Sequence, residues 1–151
     1  WRKCLTIWRG PYAKYFPSNR ISVMDTIDWE RLKTEAIAAM KRAYAPYSNF
    51  PVGVAAETAD GRIVTGCNVE NASYGIGLCA ECGLISNLVL GGRTLIKAVY
   101  CVDAHGNPLS PCGRCRQLLW EHSTPDTKFM TSDGPTNLSS LLPWAFGPEN
   151  L

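Results

Sequence analysis

Residues 77–92 read GLCAECGLISNLVLGG. From Cys79 onward, the apolar positions and the closing pair Gly91 and Gly92 predict a buried helix ending near Leu90. Its first turn carries chemistry: Cys79 and Cys82 stand three apart, with Glu81 between them. A second C-x-x-C pair, Cys112 and Cys115, lies in PCGRC at residues 111–115 and opens another predicted helix, CGRCRQLLWEH, directly after Pro111. Whether these four thiols close a structural site, or three hold a metal while Glu81 works beside it, decides whether the chain is an enzyme.

Working outward, WERLKTEAIAAMKRAY has helical apolar spacing at Trp29, Leu32, Ala36, Ile37, Met40 and Ala43. Asp28 is the candidate N-cap, and Pro46 sets the end of this helix at about Ala45. VGVAAET and RIVTGCNVE flank Ala59, Asp60 and Gly61, which predicts a hairpin. A small-residue loop, NASYGIG, leads into the cysteine-bearing helix. After it, LIKAVYCVD reads as a buried strand closed by a turn at Gly106 and Pro108, KFMTS as a further strand, and NLSSLLPWAF as a last helical segment. A hairpin followed by alternating helix and strand predicts an α/β fold, a mixed sheet with helices on both faces.

A chain of 151 residues, 46% hydrophobic with five Trp and four Phe, can build one sizeable core. No apolar run approaches the roughly 20 residues that span a bilayer. Seven cysteines is an odd count, with two C-x-x-C pairs and no long apolar signal segment, which favours metal binding in a reducing, cytoplasmic compartment over disulfides. The net charge of +2 divides unevenly. Residues 1–23 hold five basic residues and no acidic one, leaving ten basic against thirteen acidic residues, about −3, in the remainder. Such a body does not suit polyanion binding. The segment 1–23 reads as a basic appendage, compatible with a transit-like segment, an upstream translation start or an expression remnant, and the folded domain as 24–151, opening at Met24.

The gap of 29 residues between the cysteine pairs exceeds the 15–20 of ribbon-type zinc modules. Structural zinc usually staples small modules that lack a core, whereas these pairs open helices inside a core-sized domain. Helix N-termini stabilise thiolates, so Cys79, Cys112 and Cys115 at two such ends suit a metal whose fourth position stays open. Glu81 then reaches that position without being a ligand. The four-thiolate staple is the competing reading at this point.

CAE at 79–81 and PCGRCRQ at 111–117, preceded by YSNFPVG at 47–53 and NVENASYG at 68–75, resemble the small homotetrameric cytidine deaminases with three cysteine ligands. The resemblance covers most of residues 28–147. It implies a three-layer α/β/α fold around a mixed, roughly five-stranded sheet. It also implies one Zn2+ per subunit on Cys79, Cys112 and Cys115, with Glu81 moving protons among the attacking water, the pyrimidine N3 and the leaving amine. The implied reaction is hydrolysis of free cytidine and 2′-deoxycytidine to uridine and 2′-deoxyuridine with release of ammonia, a pyrimidine-salvage step without nucleic-acid or membrane partners.

By the same resemblance Asn68 and Glu70 meet the ribose 3′-hydroxyl, Phe50 packs on the base, and backbone around Ala80 reads the base edge. Ala72, Tyr74 and Phe146 would enter a neighbouring subunit's pocket. One position departs: many relatives follow CAE with Arg, which donates to the ligand sulfurs, where this chain has Cys82. Help from the helix termini or a nearby arginine such as Arg116 is expected instead. Taken alone, Cys67 and Cys101 read as buried structural thiols, and His105 and His122 lack ligand spacing. The competing function classes are a polynucleotide deaminase and a zinc-stapled binding module or inactive relative.

Overall fold

The structure is a computed structural model that describes residues 26–147 and 150. The basic segment 1–23, Cys4 within it and the domain start at Met24 lie outside the described residues. Helix α1, Trp29–Met40, begins where Asp28 accepts a hydrogen bond from the Arg31 amide at 2.9 Å, as the N-cap reading requires. It buries Leu32, Ala36 and Met40, four residues apart and therefore on one face. The helix stops before the expected Ala45. Tyr44 is drawn out of helical conformation to bridge Val69: its amide donates to the Asn68 carbonyl at 3.1 Å and its carbonyl accepts from the Glu70 amide at 2.8 Å. That long-range pairing carries residues 47–52 towards the end of the sheet.

Strands β1 (Gly53–Thr58) and β2 (Ile63–Cys67) form the expected hairpin, with Gly61 at φ +82° in its turn. Helix α2 is Ala80–Leu90, β3 is Ile96–Val102, α3 is Gly113–Trp120, β4 is Ser123–Thr131, β5 is Gly134–Asn137 and α4 is Leu138–Leu141. The sheet order is β2-β1-β3-β4-β5, and only β3 and β4 run parallel. Three further elements differ from expectation, the first being β4, which opens at Ser123, five residues before the expected KFMTS. The last helix is a single turn, and the segment before it pairs with β4 as an edge strand that tolerates Pro135.

Two hydrophobic clusters occupy opposite faces of the sheet. Ala55, Ala98, Tyr100 and Val102 pack against α1, while Val54, Ala56, Val99, Cys101 and Phe129 pack with Leu84, Leu88, Leu119 and Leu138 from α2, α3 and α4. This is the expected three-layer arrangement. Full burial of a side chain such as Phe129 contributes about 1.5–3 kcal/mol. Two glycines permit the close layering. A Cβ on Gly53 would stand 2.1 Å from the Ala36 carbonyl, and one on Gly66 would stand 2.3 Å from the Ala80 carbonyl. The second approach fixes the end of β2 against the first turn of α2.

Candidate active site and metal centre

The register aligns Gly53 with both Cys67 and Val102, so β1 begins where β2 and β3 end. At this end the chain delivers two helix N-termini. Cys79 is the N-cap of α2 and Cys112 the N-cap of α3, both extended, and neither thiol is spent on a capping hydrogen bond. The approach to α3 is held by Asp103, whose Oδ1 accepts from the His105 and Asn107 amides at 2.8 and 2.9 Å, and by the Leu109 amide donating to the Cys101 carbonyl at 2.9 Å. Arg116 then fixes the entry to the helix, donating from Nε to the Pro111 carbonyl and from Nη1 to the Leu141 carbonyl, each at 2.9 Å.

The sulfurs of Cys79, Cys112 and Cys115 all lie within 4.8 Å of one another. Tetrahedral zinc with bonds of about 2.3 Å spaces its sulfur ligands roughly 3.8 Å apart, so this cluster needs little contraction to hold the ion. Cys82 is not a member, which removes the four-thiolate reading. Glu81 is buried, 4% exposed, and its Oε1 accepts from the Cys101 thiol at 3.9 Å.

The electrostatics of the site without a cation show what a cation would supply. Burial, then the Glu81 carboxylate, push the Cys115 thiol far above its ordinary range. Burial also raises Cys79, with Cys112 and Glu81 adding to the effect against a lowering hydrogen bond with Cys115. At Cys112 burial acts upward too, but the Cys115 backbone N–H and hydrogen bonds with the Cys115 and Cys79 thiols outweigh it, and the thiol lies low. A divalent ion held there would relieve the shared cause, negative charge gathered in a desolvated place, and would favour the three sulfurs as thiolate ligands. Cys101 is separate: burial and the charge of Glu81 hold its thiol well up, so it remains a donor.

A cavity of about 310 Å³ opens onto this cluster, lined by Ala80, Glu81, Cys101 and the three cysteines at one end and by Asn68 and Glu70 at the other. Asn68 anchors the loop before β1: its Oδ1 accepts from the Val52 amide at 2.8 Å and its Nδ2 donates to the Phe50 carbonyl at 3.0 Å. Glu70 accepts from the Tyr47 amide at 2.8 Å, the Ser48 amide at 3.2 Å and the Ser48 hydroxyl. The Ser48 hydroxyl bond above all lowers its pKa, and with the two amide bonds it outweighs an opposing desolvation. Ser48 also accepts from the Phe50 amide at 3.0 Å.

The structure thus gathers Cys79, Ala80, Glu81, Cys112, Cys115, Asn68 and Glu70 around one cavity. Phe50 lies outside its lining and is exposed, as are Ala72 and Phe146. Tyr74, 82% exposed, lines a neighbouring cleft with Tyr47, Ser48, Glu70 and Asn71. Sequence reading missed Cys101, whose apolar strand concealed its contact with Glu81, and Ser48, which stands inside the YSNFPVG stretch with no spacing of its own to mark it as a partner of Glu70. Of the expected sources of help at Cys82, the helix termini or an arginine such as Arg116, Arg116 is turned to backbone carbonyls, and it is Arg114 that reaches Cys82, with Nη2 3.3 Å from Sγ.

A profile for the cytidine and deoxycytidylate deaminase zinc-binding region matches residues 27–131. The cytidine deaminase of Mycobacterium tuberculosis is 49% identical over 128 residues, 85% of this chain and 96% of the relative. The crystal structure of cytidine deaminase from Mycobacterium leprae superposes with a TM-score of 0.77 at 56% identity, covering 78% of this chain and 99% of the other. That of Burkholderia pseudomallei gives 0.72 at 40% identity, covering 80% and 100%.

Proposed function

Because the chain belongs to the cytidine and deoxycytidylate deaminase family, we propose that it hydrolyses free cytidine and 2′-deoxycytidine to uridine and 2′-deoxyuridine, releasing ammonia. The observation that carries this reading is a buried carboxylate, Glu81, beside three sulfurs spaced for one zinc ion and itself outside the ligand set. Cys79, Cys112 and Cys115 would hold the zinc ion, which would supply a Lewis acid that lowers the pKa of water towards neutrality.

The remaining work falls to side chains of this chain. Glu81 takes a proton from the attacking water and delivers it to N3 of the pyrimidine, while the water oxygen bonds to C4. Glu81 then takes the second proton from the oxygen now on C4 and passes it to the exocyclic nitrogen, the C4 carbonyl forms as the C4–N4 bond breaks, and ammonia leaves. The Cys101 thiol keeps the carboxylate oriented through its weak hydrogen bond. Backbone near Ala80 faces the base edge and Phe50 its ring, while Asn68 and Glu70 meet the ribose. A carboxylate there repels a 3′-phosphate, which favours free nucleosides over polynucleotides.

The assembly in this reading is a homotetramer in which Ala72, Tyr74 and Phe146 complete a neighbour's site. Support comes from exposed apolar side chains along residues 69–78, of which Val69 and Leu78 line the cavity and Tyr74 the neighbouring cleft, with Ile76 beside them in sequence. No helix among the described residues is long and apolar enough to cross a membrane. A cytoplasmic location suits a centre that works through reduced thiolates. The test is incubation with cytidine, 2′-deoxycytidine, CMP and single-stranded DNA, following absorbance loss and ammonia. Turnover of both nucleosides is expected, with little of CMP or DNA. Ammonia from DNA alone would overturn the reading, and a monomer by light scattering with full activity would remove the shared site.

A further inference from the structure

Cys82 has no part in the metal cluster, yet it is not idle. It sits in the first turn of α2, three residues past Cys79, and its sulfur accepts a hydrogen bond from Arg114 Nη2 at 3.3 Å. Arg114 lies in the first turn of α3, between Cys112 and Cys115 in sequence. The contact therefore links the two helix ends that supply the three ligand sulfurs. The neighbouring arginine on this helix is committed elsewhere, since Arg116 donates to the Pro111 and Leu141 carbonyls.

Three thiolates around a divalent ion leave one net negative charge in a partly desolvated place. A guanidinium seated on Cys82, one helical turn from Cys79, brings a positive charge towards that excess without competing for the sulfurs as a ligand. We infer that Arg114, anchored on Cys82, is a positioning residue of the metal centre, whose charge sets how tightly the three cysteines hold zinc. This inference rests on the deaminase reading above, but its readout does not depend on turnover.

The experiment is zinc affinity by competition with a chromogenic chelator, on the full chain, for the wild type, Arg114→Gln, Arg114→Lys and Cys82→Ser. Groups acting behind metal ligands typically change affinity 10–100-fold, and Arg114→Gln should weaken zinc binding by roughly tenfold or more. Arg114→Lys restores the charge and should recover most of that loss. Cys82→Ser retains an acceptor and should remain within about threefold of the wild type, on the same scale of outer contacts. A contact that merely staples two helices would lower the melting temperature of Arg114→Gln and Arg114→Lys alike while leaving zinc affinity intact. Wild-type affinity in Arg114→Gln, or an equal loss in Arg114→Lys, overturns the inference. A wild type that holds no zinc or releases no ammonia from cytidine would instead overturn the deaminase reading.

Discussion

The two ends of the cavity are built by different physics. At the metal end, Cys79, Glu81, Cys112 and Cys115 sit on the opening turns of two helices packed against the sheet, and their positions follow from buried backbone. At the other end, Asn68 and Glu70 belong to a loop held by side chain to backbone bonds, four of them from Glu70 and Asn68 to the backbone of residues 47–52. The first end places groups whose replacement changes chemistry. The second places groups that double as supports for the loop, so their replacement changes fit and order before it changes chemistry.

The sharpest way to break this contrast is at the ligands. Cys112→Ser should lose zinc and deamination together, because it removes one of three thiolates at an exposed mouth while leaving the core untouched. Metal analysis beside an activity assay checks it, and a variant that loses activity while keeping one zinc would mean Cys112 is no ligand. Glu81→Gln should separate the two properties. Zinc content and fold remain, since Glu81 is outside the ligand set, while kcat falls by about 10³, within the range that a positioned acid or base supplies. Retention of a tenth of the wild-type kcat would end the proton-shuttle assignment.

What the sequence made legible tracks the same contrast. The cysteine-bearing helix starts, the hairpin and the central strand depend on local spacing, and each fell where periodicity placed it. The rest depended on contacts distant in sequence. Helix α1 ends early because Tyr44 pairs with Val69, and β5 escaped notice because Gly-Pro-Thr-Asn has no apolar period and pairs only at an edge. Arg114 and Arg116 differ by two positions, about 200° around a helix, so the packing of α3 on α2 decides which one meets Cys82. The contact of Cys101 with Glu81 likewise exists only once the fold brings the end of β3 to the first turn of α2.

At the loop end, Glu70→Gln should raise KM for cytidine by roughly tenfold, the scale of one charge-assisted hydrogen bond, with kcat far less affected than in Glu81→Gln. Steady-state kinetics on both variants make the comparison direct. An unchanged KM would confine Glu70 to its supporting role in the loop.

That supporting role has its own, smaller signature in pH. Hydrogen bonds from Ser48 and from the Tyr47 and Ser48 amides hold the Glu70 carboxyl below its ordinary value of 4.5 in the folded protein. Below 4.5 the unfolded chain therefore binds the proton more readily than the folded one. The carboxylate's contribution to stability is then complete above pH 4.5 and is lost as pH falls through the lower folded value. Because the group faces solvent, the effect is screened and small. Melting curves of the wild type and Glu70→Gln at matched zinc load, from neutral pH down to about pH 3.5, isolate it, because every other titrating group, including the cysteines, is common to both. The wild type should be the more stable at neutral pH, and the gap should close below about pH 4.5, where the carboxylate that accepts those bonds becomes neutral like the amide. A gap that stays constant through that window would show that the loop relies on the shape of residue 70 and not on its charge, and the tenfold change in KM would then report ribose contact alone.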